Sequence, residues 1–430
     1  MDRKLNFLKV AISLISLHYG LGFLLGTSEA VFNSGVLGLT YPLSCAAGLF
    51  LLSLISKFYW EKKYPIWTLL GMSFGERVRE GVCFLSWFWM IGIVASQVLG
   101  ASFILGILGT PLHLGVVLTI IVISVLSLLP LEKLSNVFLL LLVLNSIAVI
   151  IGISKVVSAE TFKWILTSMT RDFSSRSFLS ILGVAVPTIF ITLLGMDFHQ
   201  FIVQAETPKQ AFVGSIVGGL GLVLMTFLPV LITFGAINKG ILPLGIDGKQ
   251  VIPFVFLREG EKLGLPFLGK FLVVLLLTAS LGSGSALTRI LTLSFFDFSF
   301  IPSKLRSKGN ILLINSFVVF FLALTNRTII SLIVCFYAIY LSGVAIPFVV
   351  YVVGLGRSKN LIFSKQAVNY SLIVGFTTSL LILVFSLLNV LPPVLSKNLE
   401  LFMILLGVFF SVLVLFVYTI IGYFSRFRVS

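Results

Sequence analysis

The sequence predicts an all-α integral membrane protein of about twelve transmembrane helices. Composition leads to that class first. Of 430 residues, 10% are charged and 58% hydrophobic, and the mean hydropathy is +1.15. Soluble domains carry about 25% charged residues, so this chain cannot cover a soluble surface. Secondly, uncharged apolar stretches of about 20 residues recur from end to end, each long enough to cross a hydrocarbon core as a helix. Thirdly, the net charge of +15 is concentrated in short loops on one side, as the positive-inside rule requires of cytoplasmic loops. Such a charge would suggest nucleic acid in a soluble protein; here the expected partner is the lipid bilayer. The cysteines, Cys45, Cys83 and Cys335, lie in apolar stretches and are odd in number, which argues against a disulfide framework or zinc site. No acids, histidines or cysteines cluster at metal-ligand or nucleophile spacing, so an enzyme fits poorly.

The basic start, MDRKLNFLK, runs directly into the first span, near 5–31, and no cleavable signal is expected. Further spans follow near 35–57, 80–108, 113–130, 134–155, 177–204, 211–238, 267–296, 309–325, 328–354, 367–391 and 400–424. An even number of spans puts both termini on one face. Lys57, Lys62, Lys63, Arg77 and Arg79 on that side make it the cytoplasmic face of a multi-pass cell-membrane protein. On the other face, residues 156–176 and 239–266 are each long enough for a short amphipathic surface helix. A gating lid and an inert connector fit these two loops equally.

The first span carries the main irregularity, HYGLGFLLGTSEAVFNSGV from His18 to Val36. Gly20, Gly22 and Gly26 fall within seven positions, and each costs a helix interior about 1 kcal/mol relative to alanine. A broken helix is tolerated in a bilayer only where its freed backbone groups face protein or a watery cavity, and transporters place binding sites at such breaks. A glycine seam for a neighbouring helix is the competing explanation. The sixth span, with Gly183, Pro187 and Gly195, invites a second interruption.

At the end of that span, His199 to Gly219 reads HQFIVQAETPKQAFVGSIVGG. It resembles the loop after the corresponding helix of the sodium:solute symporter family. Gln200 matches, Phe201 stands where arginine is usual, and Ala205 to Ala211 keeps the rest. Gly26, Ala30-Val31-Phe32 and Ser34-Gly35 resemble the family's first core helix, and Tyr340 to Pro347 resembles its tenth. Lys365-Gln366-Ala367 stands at the opening of the next helix. The resemblance implies the leucine-transporter-type fold. A first five-helix repeat would cover 1–155, and a second, inverted one with an outer loop 156–354. Two additional helices would cover 355–430, and helices one and six would be the broken pair.

The resemblance also implies a site and an activity: ion-coupled symport of a small organic solute, such as an amino acid or organic acid, by alternating access. The coupling ion, sodium, would sit between the helix-one break and helix eight, held by oxygen ligands. Carried over, these are the carbonyls of Ser16 and Tyr19 and the segment Ala279, Ser280 and Ser283, with Ala279-Ser280 matched to the family's hydroxyl pair. A small-residue packing face is the alternative for that segment. His18 occupies a position where bacterial members can carry a sodium-site aspartate; a neutral imidazole there would suit a proton as coupling ion. The solute would be lined by His18, Gly20, Leu21, Gly22, Phe23, Gln97, Thr188, Thr192 and Tyr337. No acid is expected at the break, and free N–H groups there could take a carboxylate. Asp197, His199, Gln200 and Arg289 are expected near the inner mouth, as solvated charges or as an Asp197–Arg289 gate. Beyond the coupling ion no cofactor is implied. Two alternatives stay open: a proton-coupled amino-acid permease of the same fold, and a non-transporting membrane receptor or assembly protein that kept it.

Overall fold

A computed structural model describes residues 4–175, 178–298, 302, 304, 306–324, 328–355 and 363–427. The described chain is helical, in the order α1 (Phe7–His18), α2 (Leu21–Ser34), α3 (Thr40–Lys62), α4 (Ile66–Phe74), α5 (Glu76–Ile107), α6 (Leu112–Ser127), α7 (Leu131–Val156), α8 (Ala159–Ser175) and α9 (Phe178–Leu194). There follow α10 (Met196–Val203), α11 (Pro208–Asn238), α12 (Val251–Lys262), α13 (Pro266–Phe296), α14 (Lys308–Ala323), α15 (Ile329–Leu355), α16 (Lys365–Leu387), α17 (Pro393–Lys397) and α18 (Leu399–Phe427). Among the described residues, nine apolar helices are long enough to cross a membrane, and Phe7–His18, Leu112–Ser127 and Lys308–Ala323 are shorter ones. One of the nine, Leu21–Lys62, holds both α2 and α3. Every expected span contains a helix, and local chemistry sets the ends. Asn6, Thr207, Ser307 and Ser364 each cap a first turn through the side chain.

Both loops opposite the termini contain helices, α8 and α12. The second packs into the bundle, with Val251, Ile252, Val255 and Phe256 buried. A Cβ on Gly260 would stand 2.6 Å from the Gly269 nitrogen, so α12 folds back tightly against α13. The α4 helix was not expected, because nine residues are too few for a hydropathy signal.

The terminal face is closed by the loop that carries the symporter resemblance. The Lys4 and Leu5 amides donate to the Gln204 carbonyl at 3.1 Å, and Glu206 N–H donates to Leu5 O at 3.0 Å. The Phe7 amide donates to the Gln210 side chain, and Trp60 Nε1 donates to the Ala205 carbonyl at 2.9 Å. The segment before α1 is thus clasped to the chain between α10 and α11. At the other end of the sequence α16 and α18 dock on α15 through small residues. Ser379 Oγ reaches Ser342 Oγ at 2.7 Å and donates to Met403 O at 2.6 Å. A Cβ on Gly375 would fall on the Ser342 carbonyl.

Candidate functional site

The first span breaks at Tyr19–Gly20. Gly20 is extended (φ −88, ψ −172) and Tyr19 leaves the helix with ψ 49. Of the three expected glycines only Gly20 is at the break; Gly22 and Gly26 lie inside α2 and let α15 approach. A Cβ on Gly22 would strike Ile333 Cδ1, and one on Gly26 would stand 2.9 Å from Ile330 Cγ1. Both explanations of the glycine cluster are therefore realised, at different residues. Gln97 on α5 caps the new helix start: its Oε1 accepts the Leu21 amide at 2.6 Å, deep in the bundle. Side-chain capping satisfies one of the N–H groups that a helix start leaves unpaired.

The sixth span breaks at Gly195 (φ −76, ψ 125), not at Pro187, which lies within α9. The freed carbonyls of α9 find donors on three other helices. Tyr59 Oη donates to Leu193 O at 2.7 Å, Tyr340 Oη donates to Leu194 O at 3.0 Å, and His199 Nε2 lies 2.9 Å from Leu193 O. Asp197, one residue into α10, bonds the Phe198 amide. The expectations for Asp197, His199 and Gln200 are corrected here. All three are buried, Asp197 at 2% exposure, and no Asp197–Arg289 ion pair occurs among the described residues. An acid does stand at a break, the second one. The physical reason is the position of the break: it turns Asp197 from the end of a long helix into the first turn of a new one, where a carboxylate is favoured.

The breaks meet. The His18 ring stacks on Phe198 with centroids 4.6 Å apart, joining α1 to α10. The α13 helix approaches the same point with Gly282 and Ser283, one turn beyond the expected Ala279-Ser280 pair. A Cβ on Gly282 would stand 2.6 Å from Ser16 Oγ, and a Cβ on Gly20 would stand 2.8 Å from Ser283 Cβ. Ser283 Oγ and His18 Nε2 are buried without a hydrogen-bond partner among the described residues. Ser280, in contrast, donates to its own helix at Leu277 O, 2.8 Å away. The structure thus gathers Ser16, His18, Tyr19, Gly20, Leu21, Gln97 and Ser283, with Ala279 one turn before Gly282 on α13. Phe23 packs on Tyr19 at 5.3 Å, and Tyr337 lies beside Trp89 at 5.6 Å and next to Tyr41. Thr188 and Thr192 take another direction. Their hydroxyls donate to Val184 O and Thr188 O, and Thr192 Oγ1 fills the space above Gly48 of α3.

Sequence reasoning missed Phe198 as a neighbour of His18 and Gln97 as a helix cap. A lone glutamine in an apolar span was the available signal for the second; none existed for the first.

No protein-family model matches the chain, and no curated protein matches its sequence. Solved structures do. A Na+-coupled sialic acid symporter in a substrate-bound outward-open state superposes with a TM-score of 0.72 at 13% identity, over 98% of this chain and 91% of that one. Mhp1, a nucleobase-cation-symport-1 family transporter in a closed conformation with bromovinylhydantoin bound, superposes with a TM-score of 0.58 at 15% identity, over 96% and 92%. The chain has the fold of these proteins, the leucine-transporter type, and its resemblance to sodium:solute symporters holds at that level.

Proposed function

We propose that the protein is a secondary active transporter. It moves a small organic solute, such as an amino acid or organic acid, by sodium-coupled alternating access in the cell membrane, with both termini cytoplasmic. The observation that carries the reading is the junction of two broken helices around partnerless hydroxyl oxygen. Sodium is a hard cation that takes oxygen ligands, and the residues present fit it. Ser283 Oγ lacks a hydrogen-bond partner among the described residues, Ser16 Oγ occupies the space that Gly282 leaves free, and Ser16 lies in the last turn of α1 with Tyr19 at its end. The hydroxyls of Ser16 and Ser283 and the carbonyls of Ser16, Tyr19 and Ala279 would hold the ion and stabilise its charge by dipoles alone. The two solved structures of the same fold, a Na+-coupled symporter and a cation-symport family member, support this.

The solute would lie beside the ion at His18, Gly20, Leu21, Gly22 and Phe23, with Tyr337 of α15 as a further lining residue. Gln97 occupies the Leu21 amide that a solute carboxylate would need. It acts as a place-holder that keeps the helix start paired until a carboxylate replaces it. The two halves 1–155 and 156–354 would act as the inverted repeats that move against each other. A proton in place of sodium is the second reading, and the partnerless buried Nε2 of His18 favours it.

Uptake into proteoliposomes tests both readings, with an amino-acid and organic-acid panel under a sodium gradient, a proton gradient or neither. Sodium-driven uptake whose half-maximal sodium concentration rises about ten-fold in Ser283→Ala supports the first. Proton-driven uptake abolished by His18→Ala supports the second. Binding without uptake under any gradient overturns transport.

A further inference from the structure

On the face opposite the termini, the turn Asp247-Gly248-Lys249 between α11 and α12 lies directly on α2. Only glycine permits the approach: a Cβ at Gly248 would stand 2.9 Å from Glu29 Cα and 3.3 Å from Phe32 Cδ1. Beside it Lys249 turns inward. Its Nζ lies 3.4 Å from Glu29 Oε1, 3.2 Å from Asp247 Oδ2 and 4.8 Å from the centroid of the Phe103 ring on α5. The Glu29 carboxylate has a second partner, accepting the Ile329 amide at the start of α15 at 3.0 Å. Both charges are buried, Glu29 at 5% and Lys249 at 4% exposure. Beneath them Ser28 Oγ meets Thr233 Oγ1 of α11 at 2.8 Å.

This ion pair ties together α2, α5, α15 and the turn, two helical turns along α2 from the helix-one break. A buried ion pair is a poor way to gain stability, because desolvation offsets much of the attraction and apolar side chains would hold the same elements at least as well. What a charge pair offers instead is a closure that holds while dry and weakens once water enters. That is the property of a two-state element.

We propose that Glu29 and Lys249 form the latch of the gate on this face, and that the Asp247–Lys249 turn is the strap it holds down. The proposal rests on the transport reading, since a gate presumes passage. It goes beyond that reading in naming the residues whose separation opens one side.

The test is a reporter beneath the strap. In the full chain, with Cys45, Cys83 and Cys335 replaced by alanine, Ser28→Cys is reacted with a charged maleimide in detergent. Ser28 is fully buried, so labelling measures opening. The latch predicts that Lys249→Met and Glu29→Gln each raise the labelling rate at least about ten-fold, as a shift in the open population of that size requires. Lys249→Arg, which keeps the charge, should stay within about three-fold of the parent. Glu29→Gln retains an acceptor for the Ile329 amide and serves if Lys249→Met fails to fold. Unchanged labelling in the folded neutral variants, or an equal rise in Lys249→Arg, overturns the latch. Uptake measured alongside separates the two readings, because a parent that transports nothing but shows the labelling pattern loses the transporter function, and with it the gate, while the ion pair still holds the turn down on α2.

Discussion

Replacing Gly20 with alanine tests the geometry of the junction most directly. Gly20 is extended at φ −88 and ψ −172, a region open to every L-residue, so backbone strain plays no part and the cost is steric. The new Cβ would strike Gln97 Oε1 and stand 2.8 Å from both Gln97 Cδ and Ser283 Cβ. Carbon atoms prefer about 3.5–4.0 Å, so something must yield by about 1 Å. If Gln97 withdraws, the buried Leu21 amide loses its acceptor, at about 1–3 kcal/mol. Ser283 is on the long α13 helix and can retreat only with its backbone, an overpacking cost of about 1–3 kcal/mol. Gly20→Ala should therefore destabilise the protein by about 2–6 kcal/mol. In a Gln97→Ala background one of the two clashes is gone, so the pair should show a coupling of at least about 1 kcal/mol. Denaturant unfolding in detergent, followed for the parent, both single variants and the double, measures this. A loss below about 0.5 kcal/mol, or strict additivity, would refute this packing of α2, α5 and α13.

Three further outcomes are expected. Ser283→Ala should raise the sodium concentration for half-maximal uptake about ten-fold, equivalent to about 1.4 kcal/mol. Ser280→Ala, whose hydroxyl is used within its own helix, should leave it within about two-fold; equal effects would remove Ser283 from the ion site. Tyr340→Phe takes the donor from Leu194 O at the second break and should cost about 1–3 kcal/mol in unfolding free energy, and a neutral result would mean that the carbonyl finds water. Gly375→Ala should destabilise by more than about 2 kcal/mol, since its Cβ falls on backbone, whereas Gly309→Ala meets nothing and should be neutral or gain up to about 1 kcal/mol of helix propensity. Thermal melts of the two variants side by side decide that comparison.

The helices were legible because their cause is local. Transfer of about 20 apolar residues into hydrocarbon is decided segment by segment, and capping residues such as Thr207 and Ser364 mark the ends where they stand. That both the first and sixth spans break was also readable, from glycine and proline where a continuous helix gains nothing from them. Which glycine breaks the helix was not. Gly20 and Gly22 lack a Cβ for different reasons, one beside Gln97 and Ser283 and the other against Ile333, and composition cannot tell these apart. A shift of one helical turn likewise separates Ser280 from Ser283. The direction in which Thr192 points depends on Gly48, far away in the chain.

The sequence by itself determined the membrane class, the spans and the two segments that would be irregular, since each follows from the free energy of one stretch in lipid. Only the tertiary structure decided which polar atoms meet. Asp197 becomes a first-turn residue because the break falls at Gly195, and Lys249 finds Glu29 because a glycine lets two backbones touch. Such pairings depend on several helices packing at once, and no single stretch of the chain carries that information.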